Sequence, residues 1–261
     1  MKDEDDLEGV LSKLVNRSLL NFLPAQEGEG GLYNLHDLTR LFGMQRLLGN
    51  IEETKTVIEN HAEHFLQWAS AADDEYEKGN EHILIGLSQF RFIWPHLLTA
   101  YERYLPEQKT FPRPDTADRW LSNFPGQCAY VLDLHLPPRQ KIPILQNALE
   151  AARRLDDKGA EGVHLGNLGL AYADLGDARK AIEFYEQYLS IAREIGDRRG
   201  EGNALGNLGV AYKNLGDKER ARKLWQEAIQ IFHVIESPSE KVVQNWLNEL
   251  DGKPQEETKG I

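Results

Sequence analysis

His36-Asp37, His61 with His64, and Cys128 are the residues of this chain whose types and spacing could do chemistry. In "GLYNLHDLTRLF", residues 31–42, His36-Asp37 closes a β-like run and opens a helical one. The imidazole can reach an anionic group or end the strand half-buried, and the Asp37 carboxylate can cap the helix that follows. His61 and His64 lie three apart on one helix face with Glu63 beside them, a spacing compatible with a metal, but the sequence offers no identifiable third ligand. Cys128 is the single cysteine, which excludes an internal disulfide and a cysteine-based zinc site. No G-x-x-x-x-G-K-[ST] stretch occurs, and the only Gly-Lys pair, Gly252-Lys253, precedes a proline. "GEGNALG", residues 200–206, has the wrong spacing for a dinucleotide loop and lies inside a helical run. With no nucleophile–base pair, carboxylate dyad or phosphate loop, the sequence points away from an enzyme and implies no cofactor and no metal.

Composition narrows the partners. The chain of 261 residues is 41% hydrophobic and 28% charged, enough apolar content for a large packed unit or two small ones. Its 42 acidic and 30 basic side chains leave a net charge of −12, a field that repels nucleic acid and anionic lipid. No apolar run approaches the ~18 residues of a membrane span, and "MKDEDDLEG" is acidic where a secretory signal is basic. The expectation is a soluble cytoplasmic protein.

The elements that must position any site are set by a repeat. "EGVHLGNLGLAYADLGDARKA" (161–181) aligns with "EGNALGNLGVAYKNLGDKERA" (201–221) at a shift of 40. Within it Leu175-Gly176-Asp177, Ile195-Gly196-Asp197 and Leu215-Gly216-Asp217 recur every 20 residues, and Leu155-Asp156-Asp157 reads as the same junction. Glycine closes one helix in the left-handed conformation and aspartate caps the next. Four antiparallel helices are predicted at roughly 159–175, 178–195, 199–215 and 218–235. Gly169 and Gly209 sit mid-helix, where each costs about 1 kcal/mol against alanine, so a close approach is expected there. Ala181 and Ala221 are the expected facing residues, with Tyr185 and Trp225 above them.

This pattern resembles the tetratricopeptide repeat (TPR), with Leu168-Gly169, Tyr172, Ala181 and Tyr185 in the signature places and Leu208-Gly209, Tyr212, Ala221 and Trp225 repeating them. The 40-residue period exceeds the usual length of about 34, and Tyr188 stands where a small residue is usual. The resemblance implies an all-α, TPR-like α-solenoid of antiparallel helix pairs whose first helices line a concave, peptide-binding groove. On those helices Val163, Asn167, Leu170 and Asp174, then Asn203, Asn207, Val210 and Asn214, follow i, i+4, i+7, i+11 spacing, with Lys213 the one basic residue of the set. Asparagine both donates to and accepts from an extended backbone; Asn167 and Asn207 can equally bond to neighbouring helices and stiffen the stack.

Two repeats do not hold a solenoid alone, so the flanks must contribute. The expected repeat domain spans 116–250: a degenerate repeat at 116–155, broken by Pro137-Pro138 and Pro143, repeats at 156–195 and 196–235, and a capping helix at 238–250 with Val242, Val243, Trp246 and Leu250 on one face. A polar, disordered tail at 251–261 is expected beyond it.

Toward the N-terminus, "LVNRSLLNF" followed by "GLYNLHDLTRLFG" resembles the winged-helix segment of STAND nucleotide-switch proteins, the NB-ARC class. The resemblance implies a partial winged helix with a small β-hairpin at 1–45 and a helical linker at 46–115, with "KTFPRPDTADRW" (109–120) as a proline-marked hinge. It also implies that His36, in the place of that family's methionine–histidine–aspartate motif, reaches a nucleotide diphosphate held by a P-loop domain. No such domain lies within these 261 residues, and without it the structural reading of His36 and Asp37 is the stronger. The expected function is that of a protein–protein interaction module, the sensor arm of a STAND-type signalling system, with a possible nucleotide-binding NTPase partner. The alternatives are a free-standing TPR adaptor and, last, a winged-helix DNA-binding regulator. The reading helix of that regulator, within 7–20, would set Lys13 and Arg17 against Asp5, Asp6 and Glu8.

Overall fold

The computed structural model describes residues 20–23, 32–35, 43 and 49–252. His36, Asp37, the segment before residue 20 and residues 253–261 lie outside them, and with them the expected latch, the winged-helix helices and most of the expected tail. The chain divides into two compact units, residues 1–58 with 109–112 and residues 59–108 with 113–261. In the first, β1 (Leu20–Leu23) and β2 (Leu32–Leu35) pair antiparallel with Leu20 opposite Leu35 and Leu23 opposite Leu32. A two-stranded pair by itself does not support the expected winged helix.

The rest is helical: α1 (Ile51–Glu77), α2 (His82–Tyr104), α3 (Ala117–Gln127), α4 (Ala129–His135), α5 (Pro138–Arg154), α6 (Lys158–Asp174), α7 (Ala178–Ile195), α8 (Arg198–Asn214), α9 (Lys218–Val234) and α10 (Ser239–Leu250). The sequence rule for the junctions holds at each one from α5 to α9. Gly176, Gly196 and Gly216 have φ of 78°, 73° and 86°, and Asp156 takes the same conformation at 55°. After each, the aspartate N–H bonds back to a carbonyl five residues earlier, as Asp177 does to Tyr172 at 2.9 Å, while its carboxylate accepts from the next helix's first turn. The period continues once more than the sequence reading saw. Glu236 has φ 52° and the Ser237 N–H reaches the Phe232 carbonyl at 2.9 Å, in a junction with neither glycine nor aspartate.

Consecutive helices from α5 to α10 pack on one another, and α8 also touches α6, so the first helices of successive pairs stand side by side. Leu165, Leu168 and Ala171 of α6 pack with Ile142, Leu145 and Leu149 of α5 and Ile191 of α7. Trp225, Phe232 and Ile231 of α9 are covered by Val243 and Leu247 of α10. Val242 departs from the face assigned to it: it is 49% exposed, and Leu247 takes its place in the core.

The mid-helix glycines have a different partner from the one expected. A Cβ on Gly169 would lie 2.4 Å from the Tyr185 ring, and one on Gly209 would lie 2.2 Å from Trp225 Nε1. The aromatic rings, rather than Ala181 and Ala221, occupy the space that glycine leaves. Trp225 is further fixed by donating to the Gly206 carbonyl at 3.0 Å.

A second periodic feature escaped the sequence reading. Arg153 Nε donates to Glu161 Oε1 at 2.8 Å, and 40 residues on Arg193 Nε donates to Glu201 Oε1 at 2.8 Å. Lys158 and Arg198 complete the two triads. Burial alone would raise the Glu161 carboxyl, but Arg153 and Lys158 outweigh it and hold it below the usual range. These carboxylates are buried, so loss of either arginine leaves its carboxylate with one cation in place of two.

Upstream, the segment expected to be a degenerate repeat holds α3, α4 and α5, with α3 packing on α5. The first break falls at Cys128 (φ −143°, ψ 41°), not at a proline. Pro138 begins α5, where its missing N–H costs nothing, and Pro143 sits within that helix without ending it. Asp73 of α1 compensates the break by accepting the Val131 N–H at 2.8 Å in the first turn of α4. Within 113–120 the expected hinge is fastened. Arg113 donates to the Tyr104 carbonyl at 2.7 Å and pairs with Asp118, which also receives Arg154 at 2.7 Å. Asp251, the first residue of the expected tail, accepts from Arg222 at 2.8 Å.

Candidate functional site

The first helices of successive pairs, α6 and α8, present a row of concavities that share residues. The largest part, about 600 Å³, runs between the C-terminal halves of α6 and α8 and includes Leu170, Asp174, Asn207, Val210 and Asn214. It joins through Leu170 and Asn207 to a groove of about 270 Å³ reaching α10, walled by Val163, Asn167, Asn203, Tyr188, Phe232 and Trp246. A third part, about 160 Å³, meets the others at Asn167, Leu170 and Asp174 and extends to Asp133 and Lys141.

Eight of the nine residues singled out from the sequence therefore line one connected surface: Val163, Asn167, Leu170, Asp174, Asn203, Asn207, Val210 and Asn214. Lys213 is the correction. It lies half-buried and donates to Glu249 of α10 at 3.3 Å, because position 213 is one residue, about 100°, off the groove line at 3.6 residues per turn. Val163 is 53% and Leu170 46% exposed, a notable amount of aliphatic surface to leave wet on a concave wall.

Wall residues that the sequence reading missed include Tyr188, Phe232, Val242 and Trp246. Tyr188 was visible as a departure from the repeat pattern. Its ring lies against Gly162 and Gly166, where an added Cβ would come within 3.4 and 3.3 Å. Burial pushes its phenol up, and a hydrogen bond with the Asn203 side chain draws it partly back. Asn203 is thus partly engaged by the protein itself.

Other chemistry-bearing residues lie away from this surface. Ser122 Oγ and His164 Nε2 are 3.3 Å apart, a pair the sequence did not suggest, but both are buried between α3 and α6, and His164 Nδ1 has no partner to orient it. Burial lowers the His164 imidazole, and burial likewise pushes the Cys128 thiol far up, leaving it protonated. His61 and His64 belong to an aromatic stack with Phe65, Trp68 and His96, in which Phe65 and His96 lie 4.2 Å apart. Among the described residues no group of three or more His, Cys, Asp or Glu side chains is placed to hold a metal ion.

The tetratricopeptide repeat family matches residues 142–194 and again residues 202–233. These are tetratricopeptide repeats. The second match ends one residue short of the close of α9, and the first begins within α5, so α3 and α4 lie outside both matches. Among solved structures, the TPR-like repeats of a putative kinesin light chain from Podospora anserina are 14% identical, with 72% of this chain and 86% of that one covered at a TM-score of 0.51. RapI in its apo form is 14% identical over 83% of this chain and 66% of its own, also at 0.51. A STAND protein with a TPR sensor from Pyrococcus horikoshii is 15% identical over 92% of this chain and 48% of its own, at 0.42, a likeness too loose to carry a conclusion. The first two establish the fold alone. No curated protein matches the sequence.

TPR proteins bind protein or peptide partners, and the repeats here form a protein–protein interaction module. The fold is typically a non-catalytic scaffold. Among the described residues no helix is long and apolar enough to cross a membrane.

Proposed function

We propose that the connected groove on α6, α8 and α10 takes an extended protein or peptide segment, and that the chain serves as the sensor arm of a STAND-type signalling system. The observation that carries the groove reading is the alternation along one concave wall of exposed aliphatic side chains, Val163 and Leu170, with the amides of Asn167, Asn203 and Asn207. Aliphatic surface gains about 25 cal/mol per Å² on being covered, and each amide can hold a peptide N–H and C=O together. In a pull-down from cell extract, Asn167→Ala/Asn207→Ala loses a partner that the wild-type chain retains. Retention of every partner by the double variant argues against the groove.

The STAND placement rests on the sequence resemblance of the segment around His36-Asp37 and of the helices α1 and α2. It includes the division into segment 1–45, linker 46–115 and repeat domain 116–250. In this reading His36 and Asp37 face a P-loop NTPase domain on another chain. A free-standing adaptor is the second reading, favoured by the absence of any phosphate loop in the sequence. Co-purification of a nucleotide-binding chain separates the two.

A further inference from the structure

The groove's charge is one-sided. Asp174 is exposed at the C-terminal end of α6, lines two of the three connected concavities, and among the described residues has no cation paired with it. The cations nearby are committed elsewhere: Lys141 to Asp133 at 2.6 Å and Lys213 to Glu249 at 3.3 Å. Around this wall the whole chain carries a net charge of −12. An anionic segment would enter against that net field, whereas a cationic side chain beside Asp174 would find a carboxylate in a partly enclosed site.

The opposite end is built for bulk without charge. Val163, Tyr188, Val242 and Trp246 wall this end, and the rings of Tyr188 and Phe232 fill the space over Gly166 and Gly202, where an added Cβ would come within 3.3 and 2.6 Å. On α6 the distance from Val163, at this apolar end, to Asp174 is eleven residues, about 16 Å of helix at about 1.5 Å per residue. An extended chain covers that in about five residues at about 3.3 Å each.

Resting on the groove reading above, we propose that the ligand is a segment bearing one bulky uncharged side chain and, about five residues along, a lysine or arginine. The apolar side chain enters between Phe232, Val242 and Trp246, the backbone lies on Asn167 and Asn207, and the cation pairs with Asp174.

The test uses the full chain and fluorescein-labelled ten-residue peptide pools with a Gly/Ser/Ala background. One position holds Leu, Phe or Trp, and the position five further on holds Lys or, in the matched pool, Glu. By fluorescence polarisation the Lys pool binds at least about fivefold more tightly than the Glu pool, the worth of one ion pair near a surface. Asp174→Asn, an exposed change that leaves the helix intact, reduces the preference while both pools still bind. Asn167→Ala/Asn207→Ala weakens both pools alike. Equal or tighter binding of the Glu pool, or a Lys preference that Asp174→Asn leaves undiminished, overturns the proposal and leaves the groove reading standing. Binding that Asn167→Ala/Asn207→Ala does not change, or that disappears because copies of the chain self-associate through the groove in sedimentation, overturns both.

Discussion

At the scale of single residues, two sites show how packing sets the sign of a substitution. Alanine normally stabilises a helix interior over glycine by about 1 kcal/mol. At Gly169 and Gly209 the added methyl would strike the buried rings of Tyr185 and Trp225, so overpacking of about 1–3 kcal/mol wins and Gly169→Ala and Gly209→Ala each lower the urea midpoint. Gly126 of α3 is exposed with nothing within 4 Å of an added Cβ, and Gly126→Ala leaves the midpoint unchanged or raises it. The second site is His61. Burial, with repulsion from Arg103, His96 and His64, lowers its imidazole to about 4. As pH falls below about 6.5 the unfolded chain takes up a proton that the folded chain refuses until about pH 4, so stability declines across that window and levels below it. His61→Phe keeps the stacked ring and removes this slope. Urea midpoints at pH 7 and pH 4 should show the wild type losing up to about 2 kcal/mol more than the variant, allowing for solvent screening of a half-buried ring.

At the scale of elements, the junction between helices is the unit that the sequence states most openly. Gly-Asp at a 20-residue spacing placed the four central helices to within a residue or so of their observed ends, because left-handed φ and an aspartate cap are local requirements with few solutions. Asp177→Ala and Asp217→Ala each cost about 1 kcal/mol by chemical denaturation. Where the same backbone is held by a poorer residue, the opposite change follows. Asp156 and Glu236 stand at φ 55° and 52°, and Asp156→Gly and Glu236→Gly each stabilise by about 0.5–1 kcal/mol. The place of the junction at 235–237 was legible from Ser237 and Pro238, but its left-handed residue was not, because Glu236 stands where glycine or aspartate marks the others. The break at Cys128 was illegible, since the α4 N-terminus is satisfied by Asp73, 58 residues away. Groove residues on α6 and α8 were legible as a stripe at helical spacing. Phe232, Val242 and Trp246 were not, because they reach the groove from other helices, and the one-residue error at Lys213 shows how sharply a helix face is defined.

At the scale of the whole molecule, the repeat unit behaves as a stack in which each helix is covered by its neighbours, so the last helix carries more than its own share. Leu247 is 8% exposed and closes the cluster around Trp225 and Phe232. Leu247→Ala costs about 2–3 kcal/mol and, by loosening α10, also widens the groove that Val243 and Trp246 wall. Stability and binding are therefore coupled at that end of the stack, while the exposed Asp174 end tolerates change. The central claim, that the concave wall of α6, α8 and α10 is where a partner segment lies, is tested most directly by site-specific photocrosslinking. A benzophenone side chain is placed in turn at Leu170, at Val242 and at Val234, the last 74% exposed and outside the groove. The account predicts that the bound Lys-pool peptide is captured at Leu170 and Val242 and not at Val234. Capture at Val234 with none at the two groove positions would contradict it.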